Sequence, residues 1–295
     1  MDLTNPLSDA HPPRYAYESD DEDEFDAPSE DVPNPTSTPE PLDFKLRSMG
    51  TLTPHESLII ASGDAGKAWV EGAELGEQQG GIYVNDIQVG LLFSRSVAGK
   101  TVTVVISEVT TTLPVHAMHQ YAEFVLDQIQ PSRISMIDTY SAASYISKKN
   151  IDYVNAPVRY MTSVVDPSSQ ILSITNFEQY DPPNMIQTTS AAFLSIVAVR
   201  SLQDKASAVV SSLILLPSIF LSRSARPALV EIIPGALSRS SEGWHEALMK
   251  DVHQVSLGLS MGSVDPGAWI WGGHSGSLPV SPRSKRAEQD GGMYI

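Results

Sequence analysis

A glycine turn after an apolar run could hold phosphoryl oxygens. Residues 63–67 read Gly-Asp-Ala-Gly-Lys, and a phosphate loop uses the same donors, backbone amides and a lysine. That loop needs four residues between its two glycines and a Ser or Thr after the lysine. Here only two residues intervene, and Ala68 follows the lysine. The spacing therefore favours a plain strand-to-helix turn.

A second turn places a histidine beside a serine, a pair that could serve nucleophilic hydrolysis. Residues 273–277 read Gly-His-Ser-Gly-Ser and resemble the nucleophile elbow Gly-x-Ser-x-Gly. The fifth position of that elbow is glycine, and here it is Ser277. The turn also stands in a Gly-, Ser- and Pro-rich stretch rather than between a strand and a helix. We interpret it as part of a linker.

Two histidines on one predicted helix could bind a metal ion. His116 and His119 are three residues apart, and the side chains of Glu123 and Asp127 follow as possible oxygen ligands. No third ligand stands at a spacing that a metal site dictates, and the ligand set alone is weak. The pattern favours surface histidines on an amphipathic helix. The sequence predicts neither a metal nor a cofactor.

The last three residues form a compact docking motif. Met293, Tyr294 and Ile295 place an apolar residue and a tyrosine before a terminal carboxylate. A lysine or a group of amide donors can bind such a carboxylate, while the ring and the apolar side chain add area and orientation. These three are the protein-binding residues that we predict. Their use requires no catalytic site.

Charge is concentrated at the start of this chain of 295 residues, whose formal net charge is −16. Residues 1–43 hold 13 of the 35 acidic residues and one basic residue, Arg14. Such a segment repels nucleic acid and anionic membranes, so we expect neither as a partner. The absence of cysteine excludes disulfides, thiolate catalysis and Cys-ligated zinc. With no secretory core in residues 1–10, we expect a cytoplasmic and nuclear protein.

Strand and helix patterns alternate between residues 52 and 260. Short apolar or β-branched runs predict strands at residues 58–61, 82–84, 89–93, 102–106, 134–137, 171–174, 208–216 and 228–233, with Pro217 ending the central one. Apolar residues at helical spacing predict helices at residues 115–129 after Pro114, at 188–202 as a buried helix, and at 244–259 with a start at Ser241 and Glu242. We interpret residues 140–153 as a loop or a short helix.

This alternation predicts a three-layer α/β/α sandwich around a mixed sheet over residues 52–260. Residues 1–51 are an acidic tail rich in Pro and Ser, which we predict to be disordered. Residues 261–295 are rich in Gly, Ser and Pro, and we predict a flexible tether that ends in the docking motif. One domain accounts for the whole pattern.

Two places in the chain carry a resemblance to the proteasome assembly chaperone 1 family. Residues 293–295 are similar to that family's C-terminal hydrophobic-Tyr-X docking motif. Residues 183–185, Pro-Asn-Met, lead into Ala-Ala-Phe-Leu-Ser at 191–195, which is similar to the family's Pro-Asn segment and its buried Ala-Ala-x-Leu helix. The order of elements also agrees from about Leu52 to the end.

The resemblance implies a fold related to nucleoside phosphorylases without their chemistry, and a heterodimer with proteasome assembly chaperone 2. It implies that this pair binds the α-subunit ring of the proteasome core particle and promotes its correct assembly. By that analogy the Ile295 carboxylate meets a lysine between two α subunits, Tyr294 orients it, and Met293 packs in the groove. The function expected is that of a non-enzymatic assembly chaperone.

Two other functions remain open from the sequence. The α/β pattern and the turn at Gly63 also fit a nucleoside phosphorylase-like or hydrolase-like enzyme. The terminal tripeptide alone would suit a generic peptide-binding module that captures carboxyl ends.

Overall fold

The fold is defined by a computed structural model that describes residues 41–49, 57–97, 99–108, 111–147, 155–163, 177–203, 209–218, 230–231, 244–258 and 269–270. Its strands are β1 (Phe44–Ser48), β2 (Ser57–Ser62), β3 (Glu77–Val84), β4 (Ile87–Val97), β5 (Lys100–Ser107), β6 (Thr111–Thr112), β7 (Arg133–Ser141), β8 (Val158–Thr162), β9 (Phe177–Gln179), β10 (Val210–Ser218) and β11 (Val230–Glu231). Its helices are α1 (Gly63–Gly72), α2 (Val115–Ile129), α3 (Thr189–Gln203) and α4 (Glu246–Leu257).

The larger sheet is mixed, with the strand order β1-β3-β4-β5-β2-β7-β10-β8-β9. Its centre is parallel, because β5, β2, β7 and β10 all run in the same direction. Antiparallel pairing adds β4, β3 and β1 beyond β5, and β8 beyond β10. β6 and β11 form a separate short antiparallel pair. The predicted mixed sheet is confirmed.

Helices cover both faces of this sheet. Successive side chains of β2 contribute to the cores on the two faces in turn. Ile59 belongs to a core shared with α1 and α4, which also contains Trp69. Its neighbour Ile60 belongs to a second core shared with α2 and α3, which also contains Tyr121. Successive side chains of a strand point to opposite faces, so one continuous apolar run serves two layers of helices. The predicted α/β/α sandwich is confirmed.

Most of the predicted elements that fall on described residues coincide with observed ones. Observed strands contain the predicted runs at residues 58–61, 82–84, 89–93, 102–106 and 134–137. α2 follows Pro114 and ends at Ile129, as its apolar spacing predicted. The run at 171–174 lies outside the described residues, and of 228–233 only β11 is described. In the described ranges, no helix is both long and apolar enough to cross a membrane.

The central strand β10 does not end before its proline, as the sequence predicted. β10 continues to Ser218, and Pro217 pairs in register with Tyr140 of β7. On the other side, the ladder with β8 runs only as far as Leu215. Proline is tolerated in a strand where no partner needs its missing N–H, and beyond Leu215 none of the described strands pairs with this side of β10.

Two helices differ from their predicted form. α3 was predicted to be buried all round, yet Val199 and Leu202 are exposed on its outer side, because only the opposite side packs against the sheet and α2. α4 begins at Glu246, with His245 at the N-cap, rather than at Ser241 and Glu242, which lie outside the described residues. An acidic residue still occupies the first turn, where it complements the helix dipole.

The sheet begins before the predicted domain boundary at residue 52. β1 pairs with β3 along its whole length, inside the stretch that was predicted as a disordered tail. Its apolar side chains, Phe44 and Leu46, pack on the α2 and α3 core, and the Phe44 ring lies 5.8 Å from that of Phe124. Alternation of apolar and charged residues over five positions is a strand pattern that is easily hidden beside an acidic run.

Candidate functional site

The predicted protein-binding residues Met293, Tyr294 and Ile295 lie outside the described residues. The histidine-serine turn at residues 273–277 lies outside them as well. The last described residues before the docking motif are Trp269 and Ile270, and both make defined contacts.

Trp269 is fixed against the domain by its ring and by the backbone after it. The side chain is 1% exposed and lies against Gly72, where an added Cβ would come within 2.2 Å of the indole. The indole N–H donates to the Trp69 carbonyl at 2.8 Å, and the Ile270 N–H donates to the Gly72 carbonyl at 3.0 Å. This contact falls inside the stretch predicted as a free tether. The chain that leads to the docking motif therefore starts after Ile270, not after residue 260.

The glycine turn at Gly63 is a strand-to-helix turn, as predicted. Gly63 is the first residue of α1 directly after β2. A Cβ on Gly66 would lie 2.5 Å from the carbonyl carbon of Ala61, so this glycine lets the helix approach the strand closely. Lys67 pairs with Asp64 on the same helix at 3.3 Å. Its ammonium group is thus used within α1.

The histidines of α2 lie on its exposed side. His116 and His119 face outward, which agrees with the surface interpretation. The carboxylates of Glu123 and Asp127 pair with Arg200 of α3, at 3.7 and 2.8 Å. In the part of the chain that the structure describes, no group of three or more metal-ligating side chains is found.

Two carboxyl groups that the sequence did not single out lie near the carboxyl ends of the parallel strands, Asp138 buried and Glu108 half-buried. Glu108 follows β5 with a positive φ of 56°, and its carboxylate accepts the Leu113 N–H at 2.8 Å. Asp138 lies in β7 and accepts the Thr139 N–H at 2.8 Å. Ligands of open α/β sheets bind at this edge. An acid that directly follows the apolar run at 134–137 was the signal for Asp138.

Burial raises the pKa of both groups. Desolvation lifts the pKa of the Glu108 carboxyl to about 7, against the opposing effects of the Thr189 hydroxyl and the Leu113 N–H. Desolvation likewise raises the pKa of Asp138 above its usual range. The charge of Asp138 further disfavours ionisation of Glu108, since both groups are negative and share one low-dielectric region. Buried acids with raised pKa values are a common property of general acids.

Hydroxyl groups surround this carboxyl pair. The Ser190 hydroxyl at the start of α3 lies 3.4 Å from that of Ser62, which ends β2. The second oxygen of Asp138, Oδ2, is enclosed and has no hydrogen-bonding partner of good geometry among the described residues. The cluster therefore joins three strand ends to the start of α3, and Oδ2 of Asp138 is closed off from solvent.

A buried arginine lies on β8, next to the outermost strand β9 of the sheet. Arg159 of β8 has its guanidinium 3.8 Å from the centre of the Tyr145 ring. It donates to the Gln179 carbonyl at 3.0 Å and pairs with Glu178 at 3.1 Å. Stacking and charge-assisted hydrogen bonds offset the burial of a cation that is 3% exposed, while its Nε has no hydrogen-bond partner among the described residues.

Three tyrosines pack around this arginine. The rings of Tyr140, Tyr145 and Tyr180 meet edge to face, with centres 5.2 to 6.1 Å apart. The Tyr140 hydroxyl donates to the Pro157 carbonyl at 2.7 Å, and burial raises the pKa of Tyr140 to about 12. Tyr140 belongs to β7, so the prediction of a loop or short helix at 140–153 was wrong at its start.

Asn184, in the Pro-Asn-Met segment, ties that segment to the chain after β7. Its Oδ1 accepts the Ile146 N–H at 2.7 Å, and its Nδ2 donates to the Ile146 carbonyl at 2.9 Å. The same Nδ2 donates to the Asp181 carbonyl at 2.9 Å. The Tyr180 hydroxyl donates to the Met185 carbonyl at 3.3 Å. One amide side chain thus pairs with both backbone groups of a distant residue, as a β-ladder neighbour would.

The helix after this segment is buried along one side of its first two turns, while Ser195 is exposed. Ala192, Phe193 and Leu194 of α3 belong to the core shared with α2. The Phe193 ring meets that of Tyr121 edge to face at 6.1 Å. A buried helix that starts with Ala-Ala-Phe-Leu is what the resemblance implied for this position.

No protein-family model and no curated protein sequence matches this chain. Among solved structures, it is similar to Pyrococcus furiosus PbaB, an archaeal proteasome activator, at 11% identity and a TM-score of 0.46, covering 75% of this chain and 90% of that one. It is also similar to P. furiosus PbaA, an archaeal homologue of proteasome-assembly chaperone, at 12% identity and a TM-score of 0.41. That match covers 75% of this chain and 87% of PbaA. It is also similar to a 5'-methylthioadenosine/S-adenosylhomocysteine nucleosidase from S. pneumoniae, at 11% identity and a TM-score of 0.34, covering 55% of this chain and 84% of that one.

Proposed function

We propose that this chain is a non-enzymatic proteasome assembly chaperone. In this proposal it pairs with proteasome assembly chaperone 2, binds the α-subunit ring of the core particle in the cytoplasm and nucleus, and docks there through Met293, Tyr294 and Ile295. The observation that carries the proposal is the geometry of the Pro-Asn-Met segment and of α3, the longer of the two places where the sequence resembles that family.

The geometry explains why such a segment would need these residue types. Both donor and acceptor of the Asn184 amide are used on Ile146, a role that neither aspartate nor leucine can fill. The small side chains at the start of α3 let it lie in the core beside α2, where Ala192 is buried. The resemblance gains support because the matched segment also makes specific hydrogen bonds, through Asn184 to the Ile146 backbone.

In this proposal the docking motif acts together with the domain, to which the chain is fixed at Trp269. A three-residue motif buries little area and must offset the loss of translational freedom and the ordering of the tail. Joining the motif to a domain that binds the same assembly raises its effective concentration. We infer that the domain supplies most of the binding free energy, with Met293–Ile295 acting as a second contact.

A pull-down with mass spectrometry tests the proposal. Full-length protein should capture α-ring subunits together with the second chaperone. Removal of residues 293–295, or Tyr294→Ala, should lower the α-ring yield several-fold while the second chaperone is retained. Tyr17→Ala, in the acidic segment, is the matched control and should change neither yield. Equal capture of α subunits by wild type and Tyr294→Ala would refute the docking role.

One observation favours the alternative of a nucleoside phosphorylase-like or hydrolase-like enzyme. The carboxyl groups of Glu108 and Asp138, whose pKa values are raised by desolvation, lie at the edge of the sheet where α/β enzymes bind substrate. The enclosed Oδ2 of Asp138 argues against it, because an acid must reach its substrate. Incubation of the protein with a panel of nucleosides and esters tests this alternative. Turnover that Asp138→Asn abolishes would replace the chaperone proposal.

A further inference from the structure

α1 runs from one edge of the sheet to the other. It begins at Gly63, directly after the carboxyl end of β2, and packs back along β2 and β7 as far as Gly72. The loop that follows is fixed near the start of β5, since the Glu74 carbonyl accepts a hydrogen bond from Arg95 at 2.7 Å and Arg95 pairs with Val102. α1 therefore ends at the edge where β2, β5, β7 and β10 begin, which we call the amino edge.

The C-terminal stretch leaves the domain at the amino edge. Trp269 and Ile270 both donate to carbonyls in the last turn of α1, at 2.8 and 3.0 Å. The end of α4 lies at this edge too, because Arg133, the first residue of β7, donates to the Val255 carbonyl at 3.1 Å. The chain that leads to the docking motif thus starts from the amino edge.

The Pro-Asn-Met segment lies at the other edge, where the parallel strands end, which we call the carboxyl edge. Asn184 binds the backbone of Ile146, which follows the end of β7. α3 begins at the same edge, where the Ser190 hydroxyl lies 3.4 Å from that of Ser62, the last residue of β2. The segment and the start of the chain toward the docking motif are therefore on opposite edges of the sheet.

Distance decides which edge suits a protein that also holds the docking motif. For a flexible tether, as the sequence predicts, residues 271–292 would span about 25 Å. β10 has nine residues, so the two edges are about 30 Å apart along the strands. If the carboxyl edge faced that protein, the tether would have to pass the whole sheet before the motif could bind, which lowers the effective concentration of the motif. Contact at the amino edge leaves the full reach available.

Exposed apolar side chains are present at the amino edge in all three layers of the sandwich. Ile270 is 51% exposed beside the end of α1, and Val210, the first residue of β10, is 52% exposed. Leu202, in the last turn of α3 on the other face of the sheet, is 79% exposed. A protein that covers this edge would remove apolar surface from water in each layer.

We propose that the amino edge, with Ile270, Val210 and Leu202, is the surface of the domain that contacts the α-subunit ring, while the carboxyl edge points away from the ring. This inference rests on the proposed function, because the ring is the partner named there. It adds the orientation of the folded domain and a contact surface separate from the C-terminal motif.

Crosslinking tests the orientation, and the absence of cysteine from the chain allows a photo-crosslinker to be placed on single introduced cysteines. Full-length variants are mixed with the second chaperone and α-ring subunits. Val210→Cys and Leu202→Cys, at the amino edge and outside the tail, should crosslink to α subunits. Ile146→Cys and Met185→Cys are the matched controls, since their side chains are exposed at the carboxyl edge, and they should give no α-subunit crosslinks.

Affinity for the α-ring subunits gives a second measurement. The double variant Val210→Ser with Leu202→Ser should bind about fivefold more weakly or worse, since buried apolar side chains dominate interfaces. Ile146→Ser with Met185→Ser should stay within about twofold of wild type. Unchanged melting temperatures show that the variants fold.

The outcomes separate the orientation from the proposed function. Crosslinks from the carboxyl edge, from both edges equally or from neither edge, with capture of α subunits retained, overturn the orientation and leave the chaperone function standing. Equal affinities of wild type and the Val210/Leu202 variant also overturn the contact surface alone. Wild type that captures no α subunit overturns the proposed function together with this inference.

Discussion

Replacing Glu108 with glutamine should change how the stability of the domain depends on pH. In the folded protein the pKa of Glu108 is about 7, whereas the ordinary value is 4.5. A carboxyl with a raised folded pKa stabilises the fold only while it is protonated. Wild-type stability should therefore fall as the pH rises from 4.5 to 7, and this contribution should be constant above pH 7.

The size of the effect follows from the same two values. The gap between 4.5 and 7 corresponds to about 3 kcal/mol of unfolding free energy. A glutamine at this position would be neutral at every pH, and its Oε1 could still accept the Leu113 N–H. E108Q should match wild type near pH 4.5 and be more stable by as much as about 3 kcal/mol at pH 8.

Urea unfolding of wild type and E108Q at half-unit steps from pH 4.5 to 8.5 measures this difference. The exposed Glu77→Gln in β3 is the control, and its curve should run parallel to that of wild type. Asp138 interacts with Glu108, so the loss of the Glu108 charge also alters the titration of Asp138, and the difference between the curves reports on the pair of carboxyl groups. If the E108Q and wild-type curves are parallel, the pKa of Glu108 is not raised in the folded protein.

Two further predictions concern packing. Gly72→Ala should destabilise the wild type by about 1 to 3 kcal/mol in urea unfolding, because the new Cβ overlaps the Trp269 ring. In a Trp269→Ala background the same change should be nearly neutral. Equal losses in both backgrounds would refute the contact. Arg159→Lys should lower the free energy of unfolding by about 2 to 4 kcal/mol, since lysine keeps the charge and loses the stacking and the paired hydrogen bonds. Arg47→Lys, at an exposed position of β1, is the control. Urea unfolding should show a loss for Arg159→Lys alone.

Periodicity predicted those parts of the fold in which neighbouring residues decide the structure. The run at residues 58–61 predicted β2, and the spacing from Pro114 to Ile129 predicted α2. Both patterns report burial on a regular element, so they need no knowledge of the partner. The α/β/α architecture follows from their alternation.

Long-range contacts explain what the sequence did not predict. Trp269 sits in a Gly-, Ser- and Pro-rich stretch, and only the groove at Gly72, almost 200 residues earlier in the chain, makes it part of the core. The raised pKa of Glu108 depends on desolvation by other elements of the fold and on the charge of Asp138, while the Thr189 hydroxyl acts in the opposite direction. The Asn184 contact was visible in sequence only as part of a family segment, and its partner Ile146 fell in a region without a clear period.

The Trp269 anchor also divides the C-terminal stretch into two parts that should respond differently to changes of length. The end of α4 and Trp269 both have defined positions, so an insertion between residues 258 and 269 should leave the position of Ile270 unchanged. For a flexible tether after Ile270, as the sequence predicts, added residues would lower the effective concentration of the carboxyl end roughly as the −3/2 power of the tether length. A spacer meant to adjust the tail's reach therefore belongs after Ile270, and a tag that must leave the reach unchanged belongs before Trp269.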